Sequence, residues 1–306
     1  MVKLYAAPLE GVTGYVWRNA HRQIFGGADK YYTPFIAPNK HLCFQTKELR
    51  DITQDEENLV PQLLTFNAEH FIWAAREMQF YGYNEVNLNL GCPSGTVVAK
   101  EKGSGALRDP IRLNWFLDDI FEVLTDMKIS VKTRIGLNNE EEWPAILAVF
   151  EQYPICELTV HPRLRIQQYK GLANRELFKD LMSSTKLPLV YNGDVYKEDD
   201  EAFSWGCPVM SGRGLITDPA LFRKAKGGKA ASREEFIAFH EALVEGYREY
   251  MSGEVPLIHR VKELWSYMLA SFETDDSVRN RMLKAKTYAE YAAVANDVLY
   301  NAPIKK

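Results

Sequence analysis

A cysteine framed by glycine and proline at the end of an apolar strand is the residue in this sequence whose setting most suggests chemistry. Cys92 stands in Asn87-Leu-Asn-Leu-Gly-Cys-Pro-Ser94, where the turn residues expose the side chain beyond the strand. A free thiol has a pKa of about 8.5, so it is mostly protonated at neutral pH and gives up a proton where a carboxylic acid ordinarily cannot. Cys43, Cys156 and Cys207 lack such a setting and read as small inert hydrophobes. With no C-x-x-C pair and no adjacent histidine couple, neither a zinc site nor a disulfide framework fits, and no metal is expected.

A second group of residues emerges from the period-two alternation of the strand-like runs. In Glu85-Val-Asn-Leu-Asn-Leu90 the apolar side chains face one way, which leaves Asn87 and Asn89 on the other. The same count puts Ser130, Lys132 and Arg134 together on one strand and Glu157, Thr159 and His161 on the next, with Gln62 and Asn192 ending theirs similarly. A ring of Gln62, Asn89, Lys132, His161 and Asn192 suits a polar, anionic, planar ligand. The alternative is that Lys132 pairs with Glu157, since a buried, uncompensated lysine costs several kcal/mol or loses its charge. Asn192-Gly193-Asp194 and Gly212-Arg213-Gly214 follow the last two strands, where glycines admit close backbone approach and Arg213 offers a forked contact to a phosphate. Nucleotide signatures of other kinds fail: Gly103-Ser-Gly-Ala-Leu-Arg108 lacks the last glycine of a dinucleotide fingerprint, and no P-loop occurs.

The elements that must position these residues alternate. Strand-like runs fall at 3–9, 30–35, 58–64, 85–90, 129–134, 157–161, 187–192 and 208–211, with helix-like stretches such as 15–25, 68–81, 110–125, 140–152 and 175–183 between them. Eight such units predict a (β/α)8 TIM barrel, whose active site forms at the C-terminal ends of the strands and whose phosphate site follows strands seven and eight. After Gly227-Gly228-Lys229 the pattern is purely helical, at 233–251, 257–271 and 276–299. The expected organisation is a barrel domain over 1–228 and a small all-helical domain over 229–306. Arg279, Arg281, Lys284 and Lys286 crowd one segment of that tail, as either a solvated helix face or a grip on phosphates.

Together these motifs resemble the tRNA-dihydrouridine synthase family of flavin enzymes. The matching segments are Ala7-Pro-Leu-Glu-Gly-Val-Thr13, Pro61-Gln-Leu63, Asn87 to Ser94, Gly103-Ser-Gly-Ala-Leu107, Val131-Lys-Thr-Arg134 and His161-Pro-Arg163 with Gln168-Tyr169 and Gly171. Asn192-Gly-Asp194, Gly212-Arg-Gly214 and, in the tail, His259-Arg-Val-Lys-Glu-Leu-Trp265 complete the set. The resemblance implies an FMN resting on Ala7, Pro8 and Leu9, contacted by Gln62, Lys132 and His161, with Asn192, Gly193, Asp194, Gly212 and Arg213 at its phosphate. A lysine at the pyrimidine edge suits the anionic reduced flavin. The same likeness implies NADPH (or NADH) as electron donor, Asn89 and Tyr169 at the target uracil, hydride delivery to C6, and Cys92 as proton donor to C5. Through Arg260, Lys262, Arg279, Arg281, Lys284 and Lys286 the tail is expected to hold tRNA. Two departures stand out: Ala173-Asn-Arg175 where many members carry an acidic residue and a tryptophan, and Pro162 where a glycine is usual. Both lie on substrate-facing loops, so which uridine is modified stays open.

Composition sets the outer bounds. The 306 residues, 46% hydrophobic and 25% charged, are ordinary for a globular protein. Lysine and arginine total 37 against 41 acidic residues, a net charge of −4, so RNA contact must use local basic patches. The longest stretch without a charged residue, 86–99, is broken by Asn, Gly, Pro and Ser, too short and polar for a spanning helix. Lys3 interrupts any signal-peptide core, and a cytoplasmic monomer is expected. A flavin barrel for small molecules has no use for a basic helical tail. A catalytically idle RNA-binding barrel fits poorly with Cys92, Lys132 and Arg213.

Overall fold

In Glu85–Leu90, Val86, Leu88 and Leu90 pack outward under the helices while Asn87 and Asn89 point into the barrel. The same rule, repeated strand by strand, builds the molecule. The computed structural model describes residues 2–53 and 56–305. Its strands are β1 (Leu4–Ala6), β2 (Lys30–Tyr32), β3 (Leu59–Val60), β4 (Gln62–Leu63), β5 (Glu85–Leu90), β6 (Lys128–Arg134), β7 (Leu158–His161), β8 (Leu189–Tyr191) and β9 (Val209–Ser211), all parallel. They form one sheet in the order β3-β2-β1-β9-β8-β7-β6-β5-β4. Its two ends are the halves of the single strand expected at 58–64, parted at Pro61, which has no N–H to give a ladder. β3 pairs with β2 and β4 with β5, so the chain itself closes an eight-fold barrel.

Around the barrel run α1 (Tyr15–Ile24), α2 (Thr46–Ile52), α3 (Ala68–Phe80), the short α4 (Gly95–Val98), α5 (Pro110–Val123), α6 (Trp143–Phe150), α7 (Arg175–Ser184), α8 (Arg213–Thr217) and α9 (Leu221–Ala225). Asn67, Asp109 and Asn174 accept from the first free N–H groups of α3, α5 and α7, as N-cap residues do. The tail holds α10 (Arg233–Arg248), α11 (Glu254–Met268), α12 (Asp276–Lys284) and α13 (Tyr288–Asn301). The stretch expected at 276–299 is thus two helices, since Thr287 caps a new start with Glu290 in a capping box. Phe236 and Phe239 of α10 meet Phe25, Trp17 also packs against Phe239, and the apolar core runs unbroken from barrel to tail. Arg223 reaches across the 226–232 connection to Glu235 at 2.6 Å and to the carbonyls of Lys229 and Ala230.

Two polar clusters fix the frame. At the barrel floor, Lys30 bridges Glu85 and Glu157 at 3.0 and 2.7 Å, and Tyr5 donates to Glu157 at 2.6 Å. Beside the top, Arg18 is fully buried and uses all five N–H groups, two on Glu56, one on the Asp51 carboxylate, and one each on the carbonyls of Thr13 and Asp51. It joins α1 and α2 to the turn that follows β1. Arg18→Ala strands buried carboxylates and is expected to cost about 3–5 kcal/mol of stability, measured by denaturant unfolding.

Candidate active site

Cys92 is set by its neighbours on both sides. The Asn89 side-chain oxygen accepts from the backbone N–H groups of Gly91 and Cys92, at 3.1 and 2.9 Å, and holds the turn open after β5. From the other side, the backbone N–H and the hydroxyl of Ser104 both donate to the Cys92 carbonyl, at 3.1 and 2.9 Å. This gives the Gly103-Ser-Gly-Ala-Leu107 motif its physical role: it clamps the cysteine turn. Gly103 has φ +56°, and a Cβ there would lie 2.9 Å from both the Cβ and the carbonyl oxygen of Cys92. Gly103→Ala is expected to displace the thiol and cut turnover at least about tenfold with the fold intact, checked by activity beside circular dichroism. Burial pushes the Cys92 thiol up, against smaller opposing effects of the Ser94 backbone and Arg134. The group is therefore a protonated donor at neutral pH.

A polar ladder crosses the barrel interior below it. Gln62 donates to Asn87 at 2.8 Å, Asn87 to Ser130 at 3.0 Å, and Asn89 to the Gln62 side-chain oxygen at 2.7 Å. Lys132 lies between Asn89 and Thr159 in strand register. The proposed pairing of Lys132 with Glu157 is overturned: Glu157 sits at the opposite end of the barrel wall, held by Lys30 and Tyr5. Lys132 makes no ion pair among the described residues, and burial, with Arg134 nearby, lowers its pKa to about 7. Burial and the surrounding cations Arg134, Lys132, Arg163 and Arg213 hold His161 neutral. Its Nε2 meets Arg163 at 2.9 Å; because arginine only donates, Nε2 accepts and Nδ1 carries the proton.

The loops after β7, β8 and β9 converge through one carboxylate. Asp194 pairs with Arg163, meets Arg213 at 3.2 Å, and accepts from the Ala173 N–H at 2.9 Å. Its side chain is thus committed to two guanidinium groups. What it offers an anion is its backbone and the aim it gives Arg213, whose guanidinium lies 4.5 Å from the Tyr169 ring centre. The Asn192 side chain is likewise committed, to the Met210 carbonyl at 2.9 Å. Gly214 admits no side chain, since a Cβ would fall 1.9 Å from the Val195 carbonyl oxygen; the two loops touch there.

The whole expected barrel set lines one cleft. Ala7, Pro8, Leu9, Lys132, His161, Tyr169, Asn192, Gly193, Asp194, Gly212 and Arg213 line its inner end. Gln62, Asn89, Cys92, Lys132, His161 and Tyr169 line its outer end, with Pro8 and Leu9 common to both. The tail residues do not gather so. Arg260 pairs with Glu263 at 3.2 Å beside Gly11. Lys262 donates to the Ala285 carbonyl at 2.8 Å, closing the end of α12. Arg281 meets Asp297 at 3.4 Å, while Arg279, Lys284 and Lys286 are exposed. Three site features escaped the sequence reading. Glu263 and Tyr267, one turn apart on α11, reach over the outer cleft; their i, i+4 spacing marks a shared helix face but not what that face meets. Arg163 was part of a noted motif, yet its central place between His161, Gly171 and Asp194 needed the fold.

A closed parallel barrel with donors at its heart and a protonated thiol at its rim places an active-site cleft at the C-terminal ends of the strands. The family model for dihydrouridine synthase (Dus) matches residues 5–302; the chain belongs to that family and is a flavin-dependent oxidoreductase. Curated relatives include probable tRNA-dihydrouridine synthase 2 of Bacillus subtilis, 25% identical, with 95% of this chain and 92% of that one covered. The tRNA-dihydrouridine(16) synthases of Ralstonia nicotianae and Neisseria meningitidis are 27% and 23% identical, covering 98% and 96% of this chain and 97% and 94% of theirs. Among solved structures, a variant of NCR from Zymomonas mobilis superposes with a TM-score of 0.50 at 13% identity, covering 76% of this chain and 88% of that one. TcOYE with pHBA gives 0.50 at 10% identity, covering 82% and 95%. These two share the fold.

Proposed function

We propose that the protein is an FMN-dependent tRNA-dihydrouridine synthase that reduces the C5=C6 bond of uridine in tRNA with electrons from NADPH. The observation that carries this reading is Lys132, a half-buried lysine with no anionic partner among the described residues, in the same cleft as the protonated Cys92. The donor set fits the cofactor: Lys132, the His161 Nδ1–H and the Gln62 amide for an acceptor-rich ring, and Arg213 with the backbone at Gly193 and Gly212 for its phosphate. Ala7, Pro8 and Leu9 form the wall on which the ring would lie. Reduced by NADPH, bound FMN supplies the hydride that adds to uracil C6.

The protein's own part is positioning and proton delivery. Tyr169, at the junction of the two ends of the cleft, offers an aromatic face to a base. Asn89 holds Cys92 in place and keeps one amide N–H for the uracil. Cys92 gives its proton to C5, and the resulting thiolate regains one from water. The target base must first leave its stack, at a cost of a few kcal/mol.

In this reading residues 229–306 are the tRNA-holding domain, with Arg279, Lys284 and Lys286 on phosphates and Arg260 at the cleft's edge. Replacing Arg279, Lys284 and Lys286 by alanine is expected to weaken tRNA binding and to lower the slope of log K against log salt by roughly 2, measured by titration at several salt concentrations. An unchanged slope would leave them a solvated face. The whole reading is tested by expressing the gene in a bacterium stripped of its own dihydrouridine synthases. Dihydrouridine returning to the tRNA supports it; tRNA that stays unmodified beside abundant folded protein contradicts it.

A further inference from the structure

The loop from β7 to α7 presents a leucine to solvent between two hydrogen-bonded neighbours. Leu172 is 85% exposed, yet both its neighbours are tied down. The Gly171 carbonyl accepts from Arg163 at 2.6 Å, and the Ala173 N–H donates to Asp194 at 2.9 Å. Arg163 and Asp194 also fix His161 and Arg213, so the leucine is referenced to the floor of the cleft. Earlier in the loop the Arg165 N–H is held by the Gly136 carbonyl at 2.9 Å. A solitary exposed leucine is ordinary; one held rigid beside a catalytic cleft is not explained by packing. It stands three residues from Tyr169, which lines the cleft and is itself 47% exposed, and the same loop also exposes Ile166, at 52%. Lys170, exposed and without an ion pair among the described residues, adds positive charge to this rim.

Proteins that unstack nucleic acid insert an apolar side chain between bases, and a base entering a pocket leaves a gap in its stack. We infer that Leu172 is such a wedge: it enters the base stack of the substrate RNA where the target uridine leaves, and holds that uridine in the cleft. This rests on the reading given under Proposed function. A rigid support matters because a wedge that had to be ordered on binding would add its own entropy cost to that of unstacking. The cation beside it favours RNA as the occupant over an apolar protein surface.

The test uses the full-length flavin-loaded protein and a tRNA transcript whose modified uridine has been mapped with the wild type. Leu172→Ala removes an exposed side chain, so fold and flavin absorbance should be unchanged. Dihydrouridine formation on the folded transcript is expected to fall about tenfold, and Leu172→Met to restore most of it. With 2-aminopurine beside the target position, fluorescence should rise when the wild type binds and rise far less with Leu172→Ala at saturating protein. Equal rates and equal fluorescence for wild type and Leu172→Ala would overturn the wedge while leaving the enzyme reading intact. A wild type that forms no dihydrouridine at all would overturn the enzyme reading, and the wedge with it.

Discussion

Cys92→Ala is expected to retain flavin and to be reduced by NADPH at the wild-type rate, yet to form dihydrouridine at least about a hundredfold more slowly, within the span usual for loss of a positioned general acid. The expectation follows from geometry before chemistry. The Asn89 side-chain oxygen accepts two hydrogen bonds from the turn that carries this thiol and Ser104 donates two to it, and its carrier strand presents it above Lys132 and His161 in one cleft. Its raised pKa gives the sign of the pH dependence. The reactive form is the protonated one, so activity should hold through neutral pH and fall as pH rises past the ordinary thiol value of about 8.5. Mass-spectrometric counting of dihydrouridine against pH measures both. Unimpaired product formation by Cys92→Ala would remove the cysteine from the mechanism.

Lys132→Met should lower flavin affinity and the rate of the reductive step by about a hundredfold or more, as loss of one preorganised electrostatic contact does. In the flavin-free protein burial has lowered this lysine to about 7, and the acceptor atoms of a bound flavin ring favour its charged form and raise that value. Binding at pH 8 therefore takes up a proton. Because the free protein has the lower pKa, affinity is greatest below about 7 and declines as pH rises towards the value in the complex. Calorimetric titration of FMN in two buffers of different ionisation enthalpy reads the proton directly. The wild type should show uptake at pH 8 and Lys132→Met none; equal heats for the wild type in both buffers would contradict the assigned role.

Much of this was legible because a barrel strand states its facing residue by residue. Asn87, Asn89, Lys132 and His161 were readable as inward from alternation alone, and they are inward. Alternation carries no register, however. Lys132 and Glu157 both face in on adjacent strands, and only the stagger of β6 against β7, which sets Lys132 opposite Thr159, shows that they do not meet. The break at Pro61 was missed, 58–64 being read as one strand, although the missing N–H of a proline was visible in the sequence. The commitments of Asp194 and Lys262 were not, since their partners lie on other elements and a charged side chain does not announce whether it will meet a phosphate, a guanidinium or a carbonyl. Glu263 and Tyr267 reach the cleft through the docking of α11 against α8, a tertiary event with no local signature.

The most direct test of the central claim is to incubate the purified, flavin-loaded protein with NADPH and unmodified tRNA and to weigh the resulting nucleosides. The account predicts uridine heavier by about two mass units at defined positions, as addition of a hydride and a proton requires. A yellow protein that oxidises NADPH yet leaves every uridine unchanged would contradict it.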